Sequence, residues 1–207
     1  MLETLLAMDP ALILAFTGAG VLLNLTPGSD VAFAMASGIS GGPRTGVAAA
    51  LGITLGGLTH VMFAVLGISA ALMAIPHAYD SIRYIGAAYL IFLAVKTWRA
   101  PSALEKAVGA KRLFSALKRG YLTNLLNPKV ALFILAFLPQ FTRPEAGPIW
   151  QQILLLGLLF NATGFVITSA YGLTAGFAGN HLARLGGTLN KITAIVFGGL
   201  AARLIWE

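Results

Sequence analysis

The stretch Thr123 to Phe141, TNLLNPKVALFILAFLPQF, reads as one apolar helix interrupted by a proline and a lysine. Pro128 has no N–H to donate and disfavours helix at the residue before it. The helical ladder therefore stops near Asn127 and restarts with Pro128 as its first residue. Asn127 becomes the N-cap. Lys129 then falls in the first turn, at the positive end of the helix dipole, where a cation is disfavoured by about 0.3–1 kcal/mol. A negative group is expected beside it, either a ligand carboxylate or a side chain.

Half a chain upstream, NLTPGSD, Asn24 to Asp30, repeats the construction. Thr26 is expected to cap, Pro27 to take the first helical position, and Asp30 to lie in the first turn, where an anion is favoured. Both prolines interrupt apolar segments. Broken helices at corresponding places in two halves, with their N-termini near the bilayer midplane, are the pattern of transporters built from inverted repeats.

The class follows from composition. Of 207 residues, 57% are hydrophobic and 10% charged, with a mean hydropathy of +0.83, whereas soluble domains carry about 25% charged residues. The chain belongs in a bilayer. Its net charge of +7 does not indicate nucleic acid, because the cations cluster between apolar spans as the positive-inside rule places them. Cysteine is absent, which excludes disulfides, thiolate metal ligands and thiol redox relays. No cofactor and no metal site are expected. The start, MLETLLAMDP, carries acids where a signal peptide needs a basic region, so the first apolar segment is expected to be retained.

Six apolar segments are legible: Ala11 to Ser40 (broken at Pro27), Val47 to Ile75, Ile82 to Trp98, Tyr121 to Leu138 (broken at Pro128), Ile149 to Tyr171 and Leu189 to Ile205. The expected fold is an all-α membrane protein. It has six transmembrane segments, arranged as two inverted three-helix repeats with helices 1 and 4 broken. Residues 1–207 form a single domain, with 1–99 the first repeat, 100–120 a basic cytoplasmic loop and 121–207 the second repeat. With the N-terminus outside, the inner loops hold Arg44, then Arg99, Lys106, Lys111, Arg112, Lys118 and Arg119, then Arg184 and Lys191. The outside keeps Arg83, Arg143 and Arg203. Glycines four apart, Gly38, Gly42 and Gly46, then Gly52 and Gly56, then Gly172 and Gly176, let helices approach closely. They serve packing within one bundle or a homodimer face.

Asp30 is the one acid well inside an apolar segment. Ionisable residues at such depth line ion or substrate paths; the bland reading is a dipole carboxylate that neutralises Lys129. His60, within the second span, is either a proton shuttle or a hydrogen-bonded packing residue. Asn24, Asn124 and Asn161 are amides in apolar context, suited to interhelical hydrogen bonds or ligand contacts. Tyr89 is placed to reach a cavity, and Trp98 and Trp206 read as interfacial anchors. The candidate substrate and proton site thus comprises Asp30, Lys129, Asn24, Thr26, Pro27, Gly28, Asn124, Asn127, Pro128, His60, Tyr89 and Asn161.

Gly38 to Gly42 fits G-x-S-x-G and, more loosely, the serine motif of rhomboid intramembrane proteases. A hydrolase elbow needs a preceding strand, and Ser40 ends the first segment beside a loop, so an enzyme is not expected. Metal or other cation efflux is a second alternative. It is weakened by one buried acid and no thiol, since a cation site wants several oxygen or sulfur ligands. A structural membrane scaffold would carry two charged, broken spans at needless cost.

With TPGSD at Thr26 to Asp30, LGITLGGLTHVMFAVLG following it, GAAYLIFLAVKTWR at Gly86 to Arg99 and the 123–141 stretch, the chain resembles the LysE/RhtB family of bacterial amino-acid exporters over nearly its whole length. Ser29 stands where a second proline is common in that family, and Gly57 where many members carry a larger or acidic residue. The resemblance implies export of an amino acid across the bacterial cytoplasmic (inner) membrane, driven by protons, in a multi-pass protein that can be dimeric. A zwitterion needs an anion for its ammonium and a cation or N–H groups for its carboxylate, which Asp30, Lys129 and two helix N-termini supply. With Asp30 the only anion available, a neutral substrate of the homoserine, threonine or leucine type is expected rather than lysine or arginine.

Overall fold

A computed structural model describes the main chain of residues 1–74, 78–99 and 107–206. It describes side chains outside 68–83, 85–86, 176–187, 189, 200 and 203–206. The described residues contain helices and no strand. They are α1 (Leu2–Ala7), α2 (Pro10–Leu25), α3 (Ser29–Gly41), α4 (Pro43–Ala74), α5 (Ala78–Arg99), α6 (Leu113–Leu125), α7 (Pro128–Leu132) and α8 (Ile149–Trp206). Between α7 and α8 the chain winds through a π-helical turn, Phe133–Phe137, and two 3₁₀ turns, Leu138–Phe141 and Pro144–Ala146. Lys106 and the side chains of Arg83, Arg184, Arg203 and Trp206, used above for orientation, lie outside the described residues. Trp98 is more than half exposed.

Pro43–Gly67 and Ile149–Ala175 are each long and apolar enough to cross a membrane. Two further pairs pass only when taken together across a bend: α2 with α3, bent by 50°, and α6 with the run Pro128–Phe141, bent by 52°. Both bends fall at the prolines read from the sequence. At the second, Asn127 is the N-cap, its Oδ1 accepting from Lys129 N at 3.0 Å, and Pro128 opens α7. The first differs from expectation. Thr26 does not cap α3: it ends α2, its hydroxyl donating back to Leu22 O at 2.6 Å. Pro27 and an extended Gly28 form a two-residue spacer, and α3 starts only at Ser29 with no side-chain cap. The hydroxyl is consumed by the helix it closes, so the restart slips two residues. Asp30 nevertheless stays in the first turn.

The expected loop 100–120 is shorter than its polarity implied, since α6 begins at Leu113. Arg119 ties the segment before it to this helix, donating to Val108 O at 2.9 Å and Gly109 O at 3.3 Å, with its guanidinium over the Phe33 ring. Helix α8 is continuous where two segments were expected, yet it is no straight rod. Phe160 and Phe197, 37 residues apart, would be separated by about 55 Å along one axis. Their ring centroids lie 5.0 and 6.4 Å from that of Phe133. The helical run therefore doubles back, and its two limbs flank the same core.

That core is aromatic. Phe16, Phe133, Phe137 and Phe197 are fully buried or nearly so, and Phe133, Phe137 and Phe141 pack tilted and edge-to-face at centroid spacings of 4.7 Å along the π and 3₁₀ turns. The wide π turn, a feature frequent beside functional sites, keeps rings four residues apart on one side, toward Phe16. Elsewhere glycine sets the helix spacing. A Cβ on Gly56 of α4 would stand 2.9 Å from Tyr121 O of α6, and one on Gly46 would stand 2.7 Å from the Gly172 carbonyl carbon of α8. These glycines are used inside the chain, as small residues are in lipid. Outward positions such as Leu14, Phe63, Leu66, Val166 and Ile195 are apolar and exposed, as a lipid-facing belt requires.

Truncating Phe133 to alanine should remove the ring on which both limbs of α8 converge, at a cost of about 3–5 kcal/mol. The expected outcome is a clearly lowered melting temperature in detergent. Leu66→Ala, on the exposed face, should leave the melting temperature within a degree or two.

Candidate functional site

Each proline break leaves main-chain carbonyls without partners, and the structure accounts for most of them. In α2 the carbonyl of Leu23 would accept from residue 27, but Pro27 has no N–H. Lys129 Nζ takes that place, donating to Leu23 O at 3.2 Å and to Thr26 O at 3.3 Å. Tyr171 of α8 donates its hydroxyl to Leu25 O at 2.9 Å. Thr193, on the second limb of α8, shares a short hydrogen bond with the Thr26 hydroxyl and reaches Leu22 O at 3.4 Å. In α6 the carbonyl freed by Pro128 is that of Asn124. It accepts from Asn127 N at 2.9 Å and pairs with His60 Nε2 at 3.2 Å. A carbonyl only accepts, so Nε2 carries the proton.

The position of Lys129 against its own helix dipole is thereby resolved. The side chain leaves the positive start of α7 and lies across the negative C-terminal end of α2, where a cation is favoured. Asp30 is the side-chain candidate for the negative group expected near Lys129, and the two charges do interact. The ammonium makes its hydrogen bonds to the carbonyls, while the carboxylate accepts from Asn124 Nδ2 at 2.7 Å and more weakly from Ser29 Oγ at 3.4 Å. A backbone end provides two fixed acceptors at the spot that the break itself vacates, which is why it takes the amine.

Asp30 and Lys129 line one cavity, with Asn24, Thr26, Gly28, Asn124, Asn127 and Asn161 beside them. Its walls come from both breaks, from α4 at Ile53, Thr54 and Gly57, and from α8 at Phe160, Gly164 and Thr168. A second cavity on the α5 side shares Thr26, Gly28, Asn127 and Lys129 with the first, and adds Pro27, Pro128, Tyr89, Lys96, Thr97 and Asn190. Tyr89 donates to Pro128 O at 3.2 Å. His60 lines neither cavity. It is 5% exposed and spent on the Asn124 carbonyl. Ser40 lies exposed near the end of α3, away from these groups.

The sequence reading missed Tyr171, Thr193, Thr54, Thr168 and Phe160. Tyr171 and Thr193 are polar residues in apolar runs, the same signal that singled out the asparagines. What could not be read was their register against the end of α2.

With a carboxylate, an ammonium and amides gathered where two broken helices meet, the arrangement offers partners for both charges of a small zwitterion, while the cavity here, about 40 Å³, has room for a few waters and must widen to admit the zwitterion. Comparison with known proteins points the same way. An uncharacterized membrane protein of Vibrio cholerae is 31% identical over 177 residues, covering 84% of this chain and 86% of its own. A homoserine/homoserine lactone efflux protein of Salmonella typhimurium is 32% identical over 166 residues, 78% of this chain and 79% of that one. A leucine efflux protein of Klebsiella pneumoniae is 29% identical over 200 residues, 92% and 93% of the two chains. No solved structure matches. The family described as LysE type translocator matches residues 21–207, and the chain belongs to that family: it is a transporter and not an enzyme.

Proposed function

We propose that the protein is a secondary exporter that carries a small, neutral amino acid out of the cytoplasm in exchange for protons. In this reading it crosses the bacterial inner membrane six times. Residues 1–99 and 121–207 are inverted repeats, and access alternates about the two breaks. One observation carries the reading: a single cavity walled by both breaks holds one carboxylate, Asp30, and one ammonium, Lys129. The efflux proteins among the relatives, named for homoserine and for leucine, support the amino-acid class.

The chemistry follows from that pair. The substrate ammonium takes Asp30, whose carboxylate is already oriented by Asn124. The substrate carboxylate takes Lys129, replacing neutral carbonyl acceptors with a charged one, a stronger partner for an ammonium. As Lys129 turns to the substrate, it releases Leu23 O and Thr26 O and with them the tie between α7 and α2. Substrate thus interacts differently with the tied and released states, which is what a ligand must do to shift an equilibrium. Asp30 accepts either the substrate ammonium or a proton. Loading one expels the other, and that is the logic of antiport. A cationic side chain would need a second buried anion, and Asp30 is the only acid among the lining residues.

Reconstituted protein should drive efflux of homoserine, threonine or leucine against a gradient when a pH difference is imposed. In Asp30→Asn we expect that coupling to vanish while the melting temperature stays within a few degrees. A mutant exporting at the normal rate, with normal pH dependence, contradicts the assignment.

Lys129→Ala should weaken substrate binding by about 10–100-fold, since a buried charged contact is worth about 1.5–3 kcal/mol. Lys129→Arg, which keeps the charge, should lose less. Equal loss in both variants, accompanied by a large fall in melting temperature, would make Lys129 a purely structural tie.

A further inference from the structure

Asp30 and Lys129 account for the two charges of a zwitterion and leave the rest of the cavity for its side chain. Among the described residues, four carboxamides line the cavity; Asn124 bonds Asp30 and Asn127 caps α7, which leaves Asn161 and Asn24 for that side chain. Asn161, on the first limb of α8, is 6% exposed, and its Nδ2 donates to Gly157 O of its own helix at 2.9 Å. Since that carbonyl can only accept, the amide is held with Oδ1 turned toward α4. There it lies against Gly57, where any Cβ would collide with it. Asn24, at the end of α2, repeats the arrangement. Its Nδ2 donates to Phe160 O at 3.4 Å, and the amide lies over Gly164 of α8, where a Cβ would stand 3.2 Å from both amide heavy atoms. Each amide oxygen lies over a glycine, and neither accepts a hydrogen bond among the described residues. Thr54 donates its hydroxyl to Ala50 O at 2.9 Å, so toward the cavity it too presents acceptor lone pairs.

We infer that Asn161 and Asn24, seated on Gly57 and Gly164, are specificity-determining residues that select a substrate whose side chain donates a hydrogen bond, a hydroxyl-bearing amino acid over an aliphatic one. The inference rests on the amino-acid export reading above. Amide oxygens that border the cavity and accept nothing among the described residues favour the ligand that supplies a donor. A methyl group in the same place leaves those oxygens desolvated and unpaired, and a site built to bond a hydroxyl rejects the analogue that lacks it. Gly57 also gains a reason. A larger residue there would displace the Asn161 oxygen and abolish the acceptor without touching either charge.

The test uses pairs of equal shape, homoserine with norvaline and threonine with valine, as competitors for export by wild-type protein in proteoliposomes. The hydroxyl member of each pair should compete at about 30-fold lower concentration or better. In Asn161→Leu, and to a lesser degree in Thr54→Val, that ratio should fall at least tenfold, through weaker competition by the hydroxyl member. Wild-type protein that takes norvaline and valine as readily as their partners overturns the inference whatever the variants do. So does a folded Asn161→Leu that keeps the wild-type ratio. Export of both members without discrimination leaves the amino-acid reading standing and removes only this one. Failure to export any of the four removes both.

Discussion

Lys129 reaching across to the open end of α2 is the interaction on which the rest of the molecule depends. In lipid a main-chain carbonyl without a donor is costly, and a proline inside a spanning helix creates one by necessity. Here the carbonyl freed by the first proline is satisfied from the helix that begins at the second. The first break is therefore not self-sufficient, and the second is closed only in part by its own turn, where Asn127 N donates to Asn124 O. The carbonyl freed by Pro128 is met in turn by His60 of α4, so the irregular backbone at the centre of the bundle is held by side chains that arrive from other elements.

This dependence gives the site its character. A fully apolar bundle would gain nothing from two interruptions, and a buried ion pair would hold the helices in one arrangement. On the reading proposed above, a lysine resting on neutral carbonyls can exchange them for a substrate carboxylate. On that reading the tie between the two breaks and the recognition of substrate use the same atom. The aromatic cluster around Phe133 and the glycine contacts of α4 with α6 and α8 pack the helices that surround this site.

Much of this was legible in the residues. The two breaks, the N-cap at Asn127, the first-turn position of Asp30 and the gathering of the asparagines all follow from proline chemistry and from polar residues in apolar runs. These are local or compositional signals. What escaped the sequence was register. Nothing in TPGSD says that the Thr26 hydroxyl turns back to Leu22 and delays α3 to Ser29. Nor does the order of residues show Lys129 preferring a helix end to a carboxylate, or Tyr171 standing opposite Leu25. His60 was read as shuttle or packing group, and its place under the Pro128 break could be seen only once α4 was set against α6. Glycines four apart favour packing within one bundle without excluding an external face, and only the packed helices show Gly46 and Gly56 against neighbouring backbones.

The chain contains no cysteine, which permits a direct test of where the transported amino acid sits. A single cysteine at Thr54, whose side chain lines the cavity between the breaks, is exposed to a small thiol reagent in proteoliposomes, with and without the exported amino acid at ten times its dissociation constant. The account predicts that substrate slows labelling about tenfold, as occupancy requires, while a cysteine at Thr97, which lines only the α5-side cavity, is protected less. Labelling at Thr54→Cys that proceeds at the same rate with saturating substrate would contradict the claim that the amino acid binds between Asp30 and Lys129.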